Sequence, residues 1–127
     1  MNEEDKARPV VLLAIADWQS RALIRAQLTE DGYQVRASTS VEDALRVLLR
    51  GEWPDLAAIV VEISQGPVDE RLAHSLDSLK TSAPVVALTG AFGPSPAELR
   101  QMGVQTVLAR PFAVGEVSSA LKRLSIV

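Results

Sequence analysis

The sequence predicts an α/β fold: a doubly wound, five-stranded parallel sheet with helices on both faces. Three observations predict it. Five short apolar segments alternate with segments of helical spacing along the whole chain. The most apolar of these segments lack the regular wet and dry alternation of a half-exposed strand, as expected for strands covered on both sides. The chain has 127 residues, 47% hydrophobic and 23% charged, which suits one globular domain able to bury a core.

Each element has its own signal. Residues 1–8 read as a short solvated tail and residues 9–127 as the domain. Pro9 opens the run Val10-Val11-Leu12-Leu13-Ala14-Ile15-Ala16, the first strand. From Trp18 to Glu30 the spacing turns helical, with Leu23, Ile24 and Leu28 expected on one side, and Asp31-Gly32 closes the helix. Tyr33 to Ala37 alternates like a short strand. Thr39 or Ser40 can cap a second helix, in which Val41, Ala44, Leu45 and Leu48 recur at i, i+3, i+4 and i+7 until Gly51 ends it. Trp53-Pro54-Asp55 is a turn, and Leu56 to Ile63 is the most apolar segment, hence a buried central strand whose one charge is Glu62. A loop over Ser64-Gln65-Gly66-Pro67 leads to a helix carrying Leu72, Leu76 and Leu79, and Pro84 to Thr89 forms the fourth strand. Gly90 to Pro96 is loop-like, Ala97 to Met102 a short helix and Gln105 to Ala109 the fifth strand. A last helix sets Val117, Ala120, Leu121 and Leu124 on one face.

Composition excludes several functions. There is no cysteine, so disulfides, thiolate zinc sites and a catalytic thiol are ruled out. The formal charge of -3 argues against a nucleic-acid-binding surface. No apolar run approaches a membrane span, and Met1 to Arg8 lacks the apolar core of a signal peptide, so a cytoplasmic location is expected. Parallel strands with right-handed crossovers place a site beyond the strand C-termini, where Asp17, Glu62, Thr89 and Arg110 fall.

Three pieces of text go further. Arg21 to Val35, ending in Glu30-Asp31-Gly32-Tyr33-Gln34-Val35; Pro84-Val85-Val86-Ala87-Leu88-Thr89-Gly90; and Gly103 to Arg110-Pro111-Phe112 resemble, in order and spacing, the receiver domain of bacterial response regulators. The likeness covers nearly the whole chain from Pro9. In that family an aspartate ending the third strand takes a phosphoryl group, an acidic pair after the first strand helps hold magnesium, and a Thr or Ser and a Lys stabilise the phosphorylated form. Phosphoryl transfer depends chiefly on positioning and charge neutralisation, which is why that set is needed.

The chain departs from the pattern at most of these points. Counting back from Gly32, the acidic pair falls on Ile15 and Ala16, with Asp17 next; shifting by one still recovers a single acid. Magnesium binding is therefore expected to be lost or weak, and no cofactor is implied. Glu62 stands at the phosphoacceptor-equivalent position with a carboxylate one methylene farther out, and a displacement of about 1 Å can cost on the order of 10²-fold in rate. Arg110 replaces the lysine with a planar fork suited to gripping a carboxylate through two nitrogens. Position 107, the family's switch position, carries Val107 where an aromatic or His is usual.

Each of these residues has a plainer reading beside the sharper one. Glu62 is either a built-in substitute for the phosphorylated aspartate, reaching toward Thr89 and Arg110, or a hydrated rim acid; an ion pair with Arg110 is expected because a carboxylate ending a buried strand is costly unpaired. Asp17 reads as the N-cap of the first helix rather than a metal ligand. Thr89 is a signalling hydroxyl or a strand residue bonded locally. His74 reads as a surface residue without a catalytic partner. Trp18 and Trp53 are either partner anchors or covers for the core edge.

The resemblance and the departures together imply a stand-alone, non-enzymatic pseudo-receiver acting on a protein partner, with the fourth helix, fifth strand and fifth helix as its binding face. A working phosphoacceptor in a two-component phosphorelay is one alternative. A scaffold or homodimerisation domain with a vestigial site is the other.

Overall fold

The computed structural model describes residues 8–64 and 68–125; the expected tail, apart from Arg8, and the centre of the loop at 65–67 lie outside them. Five strands form the predicted sheet: β1 (Val10–Ala14), β2 (Gln34–Ser38), β3 (Leu56–Ile63), β4 (Val85–Thr89) and β5 (Thr106–Ala109). All pair in parallel, in the order β2-β1-β3-β4-β5. The helices α1 (Trp18–Glu30), α2 (Val41–Leu49), α3 (Glu70–Lys80), α4 (Pro96–Gln101) and α5 (Val114–Ser125) make the crossovers. None is long and apolar enough to cross a membrane.

Alternation along the strands divides the core into two layers. Leu12, Ile59, Val61, Ile63, Val85 and Ala87 pack with Val41, Ala44, Leu76, Leu79 and Leu99 of α2, α3 and α4. Val11, Leu13, Val60, Val86 and Leu88 pack on the other face with Ile24 and Leu28 of α1 and Val117 and Leu121 of α5. Helix starts follow capping chemistry. Ser40, not Thr39, caps α2 by accepting from the Asp43 amide at 3.0 Å, and Asp69 caps α3 through the Leu72 amide at 2.9 Å. Ser95 and Glu98 form a reciprocal capping box on α4.

Two expectations are corrected. Leu23 does not share the inward side of α1: it is 61% exposed, while Ile24 and Leu28 are buried. The inward stripe is narrow and is completed by polar residues, Gln27 and Asp31, the latter accepting from the buried Ser118 hydroxyl of α5. The first strand also ends two residues early, at Ala14, because the chain turns there toward the cap of α1.

Candidate functional site

The candidate site lies beyond the C-terminal ends of β1, β3 and β5. Glu62 is the penultimate residue of β3 and pairs in register with Leu88 of β4. Leu88 belongs to the layer under α1 and α5, so the period-two alternation turns Glu62 toward that side. Thr89 pairs with Ile63, which belongs to the opposite layer. Glu62 and Thr89 therefore start from opposite faces of the sheet, and no hydrogen bond joins them: the hydroxyl is engaged with the Pro94 carbonyl and the carboxylate with Arg110.

Arg110 does meet Glu62. Its amide donates to the Thr89 carbonyl at 2.8 Å, extending the β4–β5 ladder by one residue, and the following peptide bond to Pro111 is cis. The guanidinium stacks over Phe112 with 5.1 Å to the ring centroid. It reaches back across β4 to Glu62, a span of two interstrand spacings or roughly 10 Å. Two long side chains, those of Arg110 and Glu62, span it. Arg110 Nη2 donates to Glu62 Oε2 at 2.6 Å and to the Ser20 hydroxyl oxygen at 3.1 Å. The contact uses one nitrogen, not the two-nitrogen grip expected of the fork. The Glu62 side chain is 6% exposed and that of Arg110 43%, so the acid is enclosed and its partner half open.

The β1–α1 turn carries the second group of charges. Asp17 caps α1, accepting from the Ser20 amide at 2.9 Å. Hydrogen bonding with Ser20 holds its carboxyl below the usual range against desolvation, and the positive charges of Arg110 and Arg21 add to the lowering. Arg21 Nη1 donates to the carbonyls of Ile15 at 2.8 Å and Ala16 at 3.2 Å. A guanidinium thus occupies the oxygens of this turn. Ile15 itself is fully buried under α1 and α5, and only Ala16 and Asp17 are exposed at the rim.

Thr89 is buried and works in the β4–α4 loop. Its hydroxyl donates to the Pro94 carbonyl at 2.5 Å, with the Ile63 carbonyl 3.4 Å away. Gly93 closes a turn onto the Gly90 carbonyl at 3.2 Å and presses on the same Ile63 carbonyl, where an added Cβ would come within 2.3 Å. Val107 is half-buried against the α2, α3 and α4 layer. The remaining sequence candidates lie elsewhere or at the edge. His74 is exposed on α3, outside the site. Trp53 lies under the Arg36 guanidinium at 5.5 Å, covering the β2 edge, with its buried Nε1 lacking a hydrogen-bond partner. Trp18 opens α1 at the rim and is 66% exposed. Among the described residues no group of three or more His, Cys, Asp or Glu could hold a metal ion.

Ser20 and Arg21 were not legible as site residues. The signal that could have found them is positional: after an Asp N-cap that follows a strand, the first turn of the helix lies at the strand C-termini, so polar residues there face the site.

No protein-family model and no curated protein matches the chain. Its fold does match solved structures. A response regulator receiver protein from Sinorhizobium medicae WSM419 superposes with a TM-score of 0.74 at 23% identity, covering 94% of this chain and 95% of that one. The Vibrio cholerae chemotaxis protein CheY4 gives 0.70 at 21% identity, over 93% of this chain and 99% of that one. A two-component response regulator/GGDEF domain protein gives 0.75 at 20% identity, with 93% of this chain matched to 49% of that one. The chain therefore has the CheY-like, flavodoxin-like fold of receiver domains.

Proposed function

We propose that this chain is a receiver-like signalling module that takes no phosphoryl group, in which Glu62 stands in the place of the phosphoacceptor and the module acts by binding another protein. The observation that carries this reading is the 2.6 Å ion pair of Glu62 with Arg110. A carboxylate already bound to the cation at the strand ends has its negative charge neutralised without phosphate. One of its two oxygens, Oε2, is engaged by the guanidinium, which makes the carboxylate a weaker nucleophile toward phosphate.

Magnesium binding is proposed to be weak or lost. A hard divalent cation needs several oxygen ligands. Here Asp17 is committed to the Ser20 amide, Glu62 to Arg110, and the Ile15 and Ala16 carbonyls to Arg21. Two guanidinium groups beside those oxygens repel a further cation. The residues present do not suit the ion, and no step is routed through it. The partner is assigned to the face of α4, β5 and α5, where Val107 is half-buried and has no ring to swing.

Incubation with acetyl phosphate and magnesium, followed by intact-mass measurement, tests the reading. The expected result is an unchanged mass for the native chain. A gain of one phosphoryl group that disappears in Glu62→Gln would overturn it.

A further inference from the structure

We infer that the groove between the β4–α4 loop and the start of α5 is a docking site for a short acidic and apolar segment of a partner protein. It rests on the reading of the chain as a protein-binding module and locates the contact at the upper end of the α4, β5 and α5 face.

The groove encloses about 520 Å³ and is walled by Ala91, Phe92, Arg110, Pro111 and Phe112. Phe92 is 85% exposed, among the most exposed large apolar residues described. Its exposure follows from a fixed loop. The Thr89 hydroxyl on the Pro94 carbonyl, the Gly93 turn onto Gly90, and the packing of Gly93 on the Ile63 carbonyl hold both sides of the loop down, leaving Phe92 at the tip. Short polar residues serve a solvent-facing turn well, and a phenyl ring at the tip, lining the groove beside Arg110 and Phe112, is free to make a contact outside this fold.

Charge selects the occupant. Among the described residues, Arg110 is the only charged one lining the groove. Both hydrogen bonds of its guanidinium use Nη2, so Nε and Nη1 have no hydrogen-bond partner among the described residues. Phe112 stacks beneath the guanidinium and keeps its plane in place. Such a site offers one fixed cationic edge between two aromatic rings. A carboxylate flanked by aliphatic side chains complements it, the carboxylate meeting Arg110 and the aliphatic groups covering Phe92 and Phe112.

The test is an NMR titration of the full chain with acetyl-Gly-Leu-Glu-Leu-Gly-amide, with its Gln analogue and with an analogue carrying Ser for both Leu. Saturable shifts at the amides of Ala91, Phe92 and Phe112 are expected, with binding weakened roughly tenfold in either analogue. Phe92→Ser should abolish those shifts while leaving the melting temperature unchanged, since the ring touches little. Three outcomes overturn the proposal: no shifts at these amides, equal shifts with inorganic phosphate, or shifts that depend on protein concentration without peptide, which would make the occupant a second copy of this chain. The acetyl phosphate experiment is independent. A mass gain there removes the non-phosphorylated reading whatever the peptide does, and a silent groove with unchanged mass removes only the docking site.

Discussion

Removing Glu62 and removing Arg110 break the same ion pair but leave different remnants. Without Glu62, a half-open guanidinium can turn to water. Without Arg110, a carboxylate that is 6% exposed is left without its hydrogen-bonded cation. Chemical denaturation should therefore show Glu62→Gln costing about 1 kcal/mol and Arg110→Ala about 2 kcal/mol or more, with the order of the two as the informative result. Asp17 gives a second prediction. Its carboxyl is held below the usual range, so its contribution is present above the ordinary Asp pKa and is lost as pH falls through the lowered one. Asn caps helices as well as Asp, so Asp17→Asn should be nearly neutral in stability at pH 7. Between pH 5 and pH 2 the variant should lose less stability than the native chain, as followed by thermal melts across that range.

At the scale of elements, the β4–α4 loop is the part whose shape is most tightly set by one residue. An added Cβ at Gly93 would come 2.3 Å from the Ile63 carbonyl and 2.9 Å from the Thr89 hydroxyl, and the first of these is backbone that cannot swing aside. Gly93→Ala is expected to cost about 2–3 kcal/mol, read from the denaturation midpoint, and to loosen the loop that presents Phe92. The strands were legible because continuous apolar runs bounded by Gly, Pro and Asp leave few other structures open. Boundaries moved where a polar cap competes with the end of a strand, as at Ala14. Leu23 was misplaced because apolar residues adjacent in sequence lie about 100° apart around a helix, and the stripe on α1 is too narrow to include both Leu23 and Ile24. The polar residues that complete the stripe, Gln27 and Asp31, look like surface residues until Ser118 of α5 is placed against Asp31, which Gln27 also holds.

Across the whole molecule, the fold was readable from pattern while the wiring of the site was only partly so. Glu62, Arg110 and Asp17 could be located from the ends of strands, because topology brings strand C-termini together. That Thr89 would lie across the sheet from Glu62 depends on the β3–β4 register, which no local signal reveals. That Arg21 would take the β1–α1 carbonyls depends on a rotamer. The same wiring predicts the response to metal. If magnesium bound with a dissociation constant near 1 mM, 10 mM of it would add about 1.4 kcal/mol and raise the melting temperature by roughly 5 °C. The expected shift on adding magnesium is none, and a calorimetric scan with and without the salt decides it.

The placement of Glu62 and Thr89 on opposite faces of one sheet divides the anchoring of the strand ends. Through Arg110 the Glu62 carboxylate is tied to Ser20 in the first turn of α1, while the Thr89 hydroxyl fastens the loop before α4 at Pro94. Two neighbouring strands thus secure two different crossovers, one on each side of the sheet.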